Sequence, residues 1–456
     1  MTLAITLLEK YSQAGPRYTS YPTAPYFTES YGEKEWRDEI THSQAAGRDL
    51  SLYVHIPFCD TLCYYCGCNM LATKDYHKAT RYLDYLLREI DLRAALAGQG
   101  RAVRQLHWGG GTPTYLNPDD IARLAQHLRS RFSFAPDIEA GCEVDPRELS
   151  HAHVAALRAA GFNRLSLGVQ DLDNTVQHAV NRVQSAALIR QVLGWMRAEG
   201  FASINMDLMV GLPKQSVASF TDTLDQVIDM APDRLAVFGY AHVPWMKKHQ
   251  KLIQEIDIPS FAVRLEMQLL MHDKLAQAGY VYIGMDHFAK PGDELVKAQR
   301  EKTLHRNFQG YTTHKNCDIY AFGASAISQT DEVYAQNFKR LLDYESHVNA
   351  GHLPVERGLR ITRDDKIRRD AISSVMCDLS LEREPFAAQW GIEFNAYFES
   401  ALQSLKALEQ DGLVRTSAER IGVTEIGRFF LRNIAMCFDA YLAAEQQNKP
   451  RYSRTI

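Results

Sequence analysis

The chain has 456 residues, 46% of them hydrophobic, and a formal net charge of −4. That is ordinary globular composition, with length for more than one domain or for one large α/β unit plus an appendage. The near balance of charge excludes a global basic field that would pull the chain onto nucleic acid or an anionic membrane, and no run of about 18 apolar residues exists to cross a bilayer.

The N-terminus, MTLAITLLEKYSQAG, has a short apolar run with neither a basic n-region nor a small-residue cleavage site. A cytoplasmic protein is therefore expected. The first 50 residues read as an irregular extension, in which Gly15 to Phe27 (GPRYTSYPTAPYF) is rich in Pro, Tyr and hydroxyl side chains with no clean period. From Ser51 the pattern changes. Leu52–Ile56 reads as a strand, and Leu83, Leu87, Ile90 and Ala94 place an apolar stripe on a helix from Tyr82 to Leu96. Val103–Trp108 is the next strand. Asn117-Pro118-Asp119-Asp120 opens a helix with an N-cap, a proline at the first position and acids in the first turn. Ile138–Val144 reads as a strand, with a helix near His151–Ala160. Leu165, Leu167 and Val169 alternate as a strand; so do Ile204, Met206 and Leu208, which leaves Asn205 and Asp207 on the opposite face. Leu235–Tyr240 follows.

Strands alternating with helices imply parallel βαβ units. Six such units, fewer than the eight of a closed (β/α)₈ barrel, predict an α/β fold built on a partial (βα)₆ TIM-like barrel. After about residue 350 the alternation stops. Asp364 to Leu381 and Phe394 to Glu409 read as helices, and residues 411–425 as a turn, a strand pair and a capped helix. Three consecutive blocks are expected: an N-terminal extension over 1–50 that closes over the site, the barrel and its extension over 51–350, and a mainly helical domain with a winged-helix flavour over 351–456. Acidic residues offset the basic ones in the last block and no basic recognition helix stands out, so a packing or lid role is favoured there over DNA binding.

Four of the eight cysteines fall within ten residues: Cys59, Cys63, Cys66 and Cys68. In a reducing compartment this is a metal or cluster site rather than a disulfide framework. The spacing C-x₃-C-x₂-C directly follows the first strand, and strand C-terminal ends carry the chemistry of parallel barrels. Three close thiolates suit three corners of a [4Fe–4S] cube, with the fourth iron open to a small molecule. A structural zinc site, with Cys68 as fourth ligand, is the competing reading. It is disfavoured because zinc ribbons pair such a knuckle with a second one about 12–20 residues away, and none is present. Cys142, Cys317, Cys377 and Cys437 are scattered and read as buried or incidental thiols.

The C-x₃-C-x₂-C loop after the first strand, with an aromatic (Tyr65) before its third cysteine, resembles the radical S-adenosylmethionine superfamily. The resemblance narrows through YVHIPFC (Tyr53–Cys59), CGCN (Cys66–Asn69), HWGGGTPT (His107–Thr114), EVDPREL (Glu143–Leu149), RLSLGVQ (Arg164–Gln170), NMDLMVGLP (Asn205–Pro213), YIGMDHFAKP (Tyr282–Pro291) and RNFQGYTT (Arg306–Thr313). With GPRYTSYPT (Gly15–Thr23) and VTEIGRFFLRNIAMCFD (Val423–Asp439), the chain is similar over nearly its whole length to the oxygen-independent coproporphyrinogen III oxidases. Cys68 and the Gly15–Thr23 segment separate it from the related heme chaperones.

That resemblance implies an anaerobic decarboxylating dehydrogenase of heme biosynthesis. Two propionates of coproporphyrinogen III become vinyl groups, giving protoporphyrinogen IX and carbon dioxide, by way of a 5′-deoxyadenosyl radical made from S-adenosylmethionine at the reduced cluster. It implies Cys59, Cys63 and Cys66 as cluster ligands, with Cys68 beside the site in an open role. It implies two S-adenosylmethionine molecules, with Tyr53, Tyr65, Gly110, Gly111, Thr112, Glu143, Gln170, Arg182, Asp207, Ala241 and Ile327 at the matching positions.

The residues themselves support most of these roles. Glycines admit close approach of backbone to a ligand, though a triple glycine alone is more often just a turn. Glu143 at a strand end can accept from an ammonium, Asp207 from ribose hydroxyls, and Arg182 can pair a carboxylate. Arg17, Lys290 and Arg306 are candidates for the substrate's propionates. The resemblance further implies a low-potential electron donor such as a flavodoxin or ferredoxin system and a monomer; the charge balance and the lack of a long apolar run lead to the expectation of no nucleic-acid or membrane partner. The competing functions are a heme chaperone of the same superfamily and, from another class, a zinc-binding DNA regulator.

Overall fold

The computed structural model describes residues 2–98, 100–443, 452, 454 and 455. The chain forms two compact units that are interleaved in sequence: Phe27–Pro259 with Asn316–Arg360, and Met1–Tyr26 with Ser260–Lys315 and Ile361–Ile456. Packing thus groups the chain differently from three consecutive blocks, and the end of the third block (444–451, 453 and 456) lies outside the described residues.

In the first unit, β1 (Leu50–Ile56), β2 (Ala102–Gly110), β3 (Ser133–Val144), β4 (Arg164–Gln170), β5 (Ser203–Val210) and β6 (Arg234–Gly239) are the six strands read from sequence. They pair in that order, all parallel. A seventh parallel strand, β7 (Asp318–Phe322), joins β1 on its other side. Then β8 (Ile327–Gln329), β9 (Val333–Asn337) and β10 (Val355–Arg360) return antiparallel. Within the unit the order is linear, β10-β9-β8-β7-β1-β2-β3-β4-β5-β6. The six strands are therefore an arc of a barrel.

Period-two alternation decides which side of each strand is apolar. Leu52, Val54, Ile56, Leu106, Trp108, Leu165, Leu167, Ile204, Met206 and Leu208 are all buried. Trp108 meets Phe162 edge-on at 4.8 Å, a contact good for about 0.5–1.5 kcal/mol beyond its area. The alternate residues are polar and bond to one another. Ser51 Oγ donates to Gln105 Oε1 at 2.9 Å, Gln105 Nε2 to Glu139 Oε1 at 2.6 Å, and Arg164 lies 3.6 Å from Glu139. The helices over the apolar face start where capping chemistry says. Asn117 Oδ1 accepts from Asp120 N at 2.8 Å to open Pro118–Arg131.

The helix His77–Ala97 is held by a buried hub. Glu89 accepts from Arg93 at 2.7 Å, Gly323 N at 2.7 Å, Asn337 Nδ2 at 2.8 Å and the Tyr344 hydroxyl at 2.8 Å. Arg93 in turn donates to Ser328 and Asn337, each at 2.7 Å. One carboxylate thus ties the first crossover helix to the loop after β7 and to β9.

Two sequence expectations change. The first 50 residues are not irregular throughout: Thr2–Tyr11 and Glu33–Ser43 are helices. In the second unit, Asp364 to Leu381 is not one helix. Arg363–Ser373 ends in a π turn, Leu379 takes a φ of 58°, and Ser380–Glu382 becomes a strand on Arg420–Val423. Phe394 to Glu409 divides at Phe398 into Phe394–Tyr397 and Glu399–Gln410. The apolar period runs on through both breaks, so periodicity alone does not reveal them. With Val414–Thr416 these strands form a three-stranded antiparallel sheet. Ile367, Val375, Phe386, Phe398, Leu405, Ile421, Phe430, Ile434 and Phe438 make its core, together with Tyr18 and Tyr21 of the N-terminal segment.

No described helix is long and apolar enough to cross a membrane.

Replacing Glu89 by Ala strips four donors of their acceptor and leaves the Arg93 cation buried. The expected cost is about 3–5 kcal/mol, read as a lower denaturant midpoint by circular dichroism; an unchanged midpoint contradicts the hub.

Candidate functional site

β1 runs directly into the cysteine loop, and the loop is clamped at both ends. Phe58–Cys59 pairs in parallel with Leu71–Ala72. Leu71 N donates to Pro57 O at 2.6 Å and Thr73 N to Cys59 O at 2.9 Å. The buried Phe58 ring anchors the near end against Tyr82 at 5.4 Å and Tyr115 at 5.6 Å. Between the clamps the backbone is held from outside. Tyr64 N donates to Val180 O at 3.0 Å, and Asn181 Nδ2 to Leu62 O at 2.8 Å. Gln250 Nε2 donates to Tyr65 O at 2.9 Å, His249 Nε2 to Cys66 O at 2.7 Å and Lys247 Nζ to Cys68 O at 2.9 Å.

Each sulfur has its own surroundings. Cys59 and Cys63 are buried, Cys66 is half-buried and Cys68 exposed. Cys59 Sγ lies 3.3 Å from the Thr112 hydroxyl, and burial pushes its thiol up to about 12. Cys66 Sγ accepts from Cys68 N at 3.4 Å, and hydrogen bonding from Cys68 brings its thiol down to about 6 against the opposing effect of burial. Cys63 Sγ faces two guanidiniums, Arg147 Nη2 at 3.5 Å and Arg182 Nη1 at 3.6 Å. Among the described residues no three His, Cys, Asp or Glu side chains are arranged to hold one metal ion.

β2 ends in the glycines that flank this loop. Gly110 has a φ of 116°, and a Cβ there would sit 2.6 Å from the His55 ring. A Cβ on Gly111 would lie 2.7 Å from Phe58 O. Only glycine allows the two segments to approach this closely. Thr112 N then donates to Phe58 O at 2.8 Å.

A polar row follows on the same side of the sheet. Tyr53 stacks on His107 at 6.0 Å, and its hydroxyl lies 3.1 Å from His55 Nδ1. His55 Nε2 donates to Asn69 O at 2.9 Å, so Nδ1 is the acceptor for Tyr53. His107 Nε2 is 3.3 Å from Glu143 Oε1, and Gly110 N donates to Glu143 Oε2 at 3.2 Å. Burial raises the Glu143 carboxyl, but these donors outweigh it and leave it below the ordinary range. Asp207 goes the other way. Burial raises it to about 6 although Ser166 Oγ donates at 2.9 Å and Asn205 Nδ2 at 2.7 Å. Two carboxyls on neighbouring parts of one sheet are thus tuned in opposite directions.

Asp145, two residues beyond Glu143, takes Arg182 Nη1 at 2.9 Å and Arg147 Nη2 at 2.6 Å. Burial would raise it, yet the Arg182 charge and the Arg147 hydrogen bonds hold it at about 2. Arg182 Nη2 also donates to Gly168 O at 2.7 Å, and its Nε is buried without a hydrogen-bond partner.

The profile of the Radical SAM superfamily matches residues 53–227, and that of the HemN C-terminal domain matches residues 361–430. The chain is 49% identical over 452 residues to the oxygen-independent coproporphyrinogen III oxidase of Escherichia coli K12, covering 99% of this chain and 98% of the relative. The protein of the same name from Pseudomonas aeruginosa is 45% identical, again over 99% and 98%. A solved structure described as coproporphyrinogen III oxidase (HemN) from Escherichia coli, a radical SAM enzyme, superposes with a TM-score of 0.92 at 48% identity, over 96% of this chain and 98% of that one.

The chain belongs to the oxygen-independent coproporphyrinogen III oxidases.

For this family member, the structure brings together Cys59, Cys63, Cys66, Tyr53, Thr112, Glu143 and Arg182 through the contacts above. Ala241 joins by its carbonyl, which accepts from Gln250 Nε2 at 3.2 Å and so shares a donor with Tyr65. Tyr65 packs on Val176, Val180, Leu212, Tyr240 and Ile253. Gln170 ends β4 in a left-handed conformation, φ 65°. Ile327 opens β8 opposite Gln336, next to Ala326, which packs with Ala321 against Tyr53. Arg17, Lys290 and Arg306 belong to the second unit, where Arg17 pairs with Asp286 and Arg306 lies 4.9 Å from the centroid of the Tyr311 ring.

Sequence reasoning missed His107, Asp145, Arg147 and Gln250. His107 shares the polar face of β2 with Gln105, so alternation was a usable signal. Asp145 and Arg147 flank Pro146 in a loop, where nothing in the text separates a buried pair from a solvated one.

Asp207 gives a pH prediction. Its folded value of about 6 exceeds the ordinary aspartate value of 3.8. The protonated form is therefore favoured in the fold, and its contribution is complete below about 4 and lost as pH rises through about 6. In thermal melts of the cluster-free protein, Asp207→Asn should gain on the wild type as pH rises across that window; a constant difference contradicts the assignment.

Proposed function

We propose that this chain carries out the anaerobic oxidative decarboxylation of two propionates of coproporphyrinogen III to vinyl groups, giving protoporphyrinogen IX. The observation that carries the reading is the match to oxygen-independent coproporphyrinogen III oxidases along the whole chain, barrel and C-terminal domain together.

The donor set fits a [4Fe–4S] cluster. Three thiols of one clamped loop stand at a strand end, each with a separate hydrogen-bonding partner. A tetrahedral zinc would need its ligands gathered on one ion, whereas a cube spreads its thiolates over separate irons. When bound, the cluster and S-adenosylmethionine would supply an electron and a 5′-deoxyadenosyl radical able to take a hydrogen from the propionate carbon next to the ring; the carboxyl would then leave as carbon dioxide and one electron would pass to an acceptor.

In this reading Cys59, Cys63 and Cys66 hold three irons, and the exposed Cys68 is left out of the ligand set. Glu143, kept ionised by His107 and Gly110 N, accepts from the ammonium of the methionyl group. Asp207 accepts from ribose hydroxyls. Arg182 offers its spare Nε to a carboxylate. Gly110, Gly111 and Thr112 let backbone approach the cofactor, and Tyr53, Tyr65, Gln170, Ala241 and Ile327 complete the walls around two S-adenosylmethionine molecules. Arg17, Lys290 and Arg306 receive propionates; support comes from Arg306, whose Nε and Nη1 are buried without hydrogen-bond partners. The chain works in the cytoplasm as a monomer and takes electrons from a low-potential donor of the flavodoxin or ferredoxin kind.

The test is an anaerobic assay of purified, reconstituted protein with coproporphyrinogen III, S-adenosylmethionine and a low-potential reductant. Vinyl product with stoichiometric iron and sulfide is expected, and Cys63→Ser, which removes a ligand itself, should lower S-adenosylmethionine cleavage by more than the roughly 10–100-fold that loss of an outer-shell partner costs. Heme binding without conversion would favour the chaperone reading, and zinc without iron or sulfide the DNA regulator.

A further inference from the structure

The three sulfurs of the loop are not equivalent. Cys59 Sγ meets one neutral hydroxyl, and Cys66 Sγ the amide and the thiol of Cys68, with the Lys247 charge acting on it through space. Cys63 Sγ meets two cations. Arg182 has a place in the proposed cofactor site; Arg147 has none. Yet Arg147 is the more tightly directed of the two. Its Nε lies 3.0 Å from Asp145 Oδ1, its Nη2 2.6 Å from Asp145 Oδ2, and its own backbone amide donates to Asp145 Oδ1 at 3.1 Å. This two-point clasp fixes the plane of the guanidinium. Nη2 carries two hydrogens. One serves Asp145, and the other points at Cys63 Sγ.

We propose that Arg147 is a positioning residue that sets how readily a cluster held at Cys63 accepts an electron. The inference rests on the cluster reading above. Adding one electron to a cluster adds one negative charge, which spreads onto its thiolate sulfurs. An N–H aimed at such a sulfur, or a cation beside it, stabilises the reduced state more than the oxidised one and raises the reduction potential. Around Cys63 two guanidiniums, both bonded to the one carboxylate of Asp145, stand next to the sulfur. Side-chain exposures of 14% for Arg147, 10% for Asp145 and 8% for Arg182 keep these charges poorly screened. Asp145 is the clasp that holds both cations at this corner. The electron comes from a low-potential flavin or iron–sulfur donor; no bond is made and no proton moves in this step.

The experiment is a redox titration, read by electron paramagnetic resonance, of full-length protein reconstituted anaerobically. In Arg147→Gln, with iron and sulfide content retained, the reduced-to-oxidised ratio at a fixed potential should fall about tenfold, a midpoint about 59 mV more negative for a one-electron couple. Arg147→Lys keeps the cation without the two-point clasp, so its ratio should fall by less. A loaded Arg147→Gln with the wild-type midpoint overturns the proposal and reduces Arg147 to a brace for the loop. If Arg147→Gln takes up no cluster, Arg147→Lys decides: a more negative midpoint supports the role and an unchanged one overturns it. Wild-type protein that binds no iron and sulfide overturns the cluster reading itself, and this inference with it.

Discussion

Charged side chains on the buried side of a parallel sheet must find partners, and the site follows from that requirement. Leaving a carboxylate or guanidinium unpaired there costs several kcal/mol. The chain answers with a continuous set of pairs. Ser51, Gln105, Glu139 and Arg164 satisfy one another toward the strand starts. Nearer the strand ends, Glu143 bonds with His107 and Gly110, and Asp145 with Arg147 and Arg182. Because these pairs hold the side chains in place before any cofactor arrives, the site has the preorganisation that metal and radical chemistry needs.

The cysteine loop obeys the same logic by other means. A loop rich in reactive thiols has no regular ladder of its own, so its backbone is held by neighbours. Side chains of Asn181, Gln250, His249 and Lys247 hold four of its carbonyls. The close approach of Gly110 and Gly111 to His55 and Phe58 brings the second strand end against its base. Local geometry is thereby imposed by residues up to 185 positions away in sequence.

Much of the barrel was legible because its signal is local. Strands such as Arg164–Gln170 and Ser203–Val210 alternate with period two, and Asn117 marks its helix start by a cap written in the four residues Asn117 to Asp120. The C-terminal elements were harder. The apolar period of Asp364 to Leu381 continues through Leu379, whose left-handed backbone ends the helix and starts a strand; the partner that makes this favourable, Arg420–Val423, lies some forty residues on. Thr2–Tyr11 and Glu33–Ser43 flank the Pro- and Tyr-rich Gly15–Phe27 stretch, whose lack of a period made the whole segment read as irregular.

By itself the sequence determined the strand-helix alternation, the three thiols on one loop after the first strand, and the family to which the chain belongs, because each is written in contiguous residues. Tertiary structure decided what each of those groups feels. Asp145, just beyond β3, and Asp207, within β5, are both aspartates of the same sheet region, yet one is held at about 2 and the other raised to about 6. The difference is two buried guanidiniums against a hydroxyl and an amide, and only the fold brings Arg182 across thirty-seven residues to Asp145. Likewise the three cysteines are alike as letters, and it is packing that brings two guanidiniums within hydrogen-bonding distance of Cys63 Sγ.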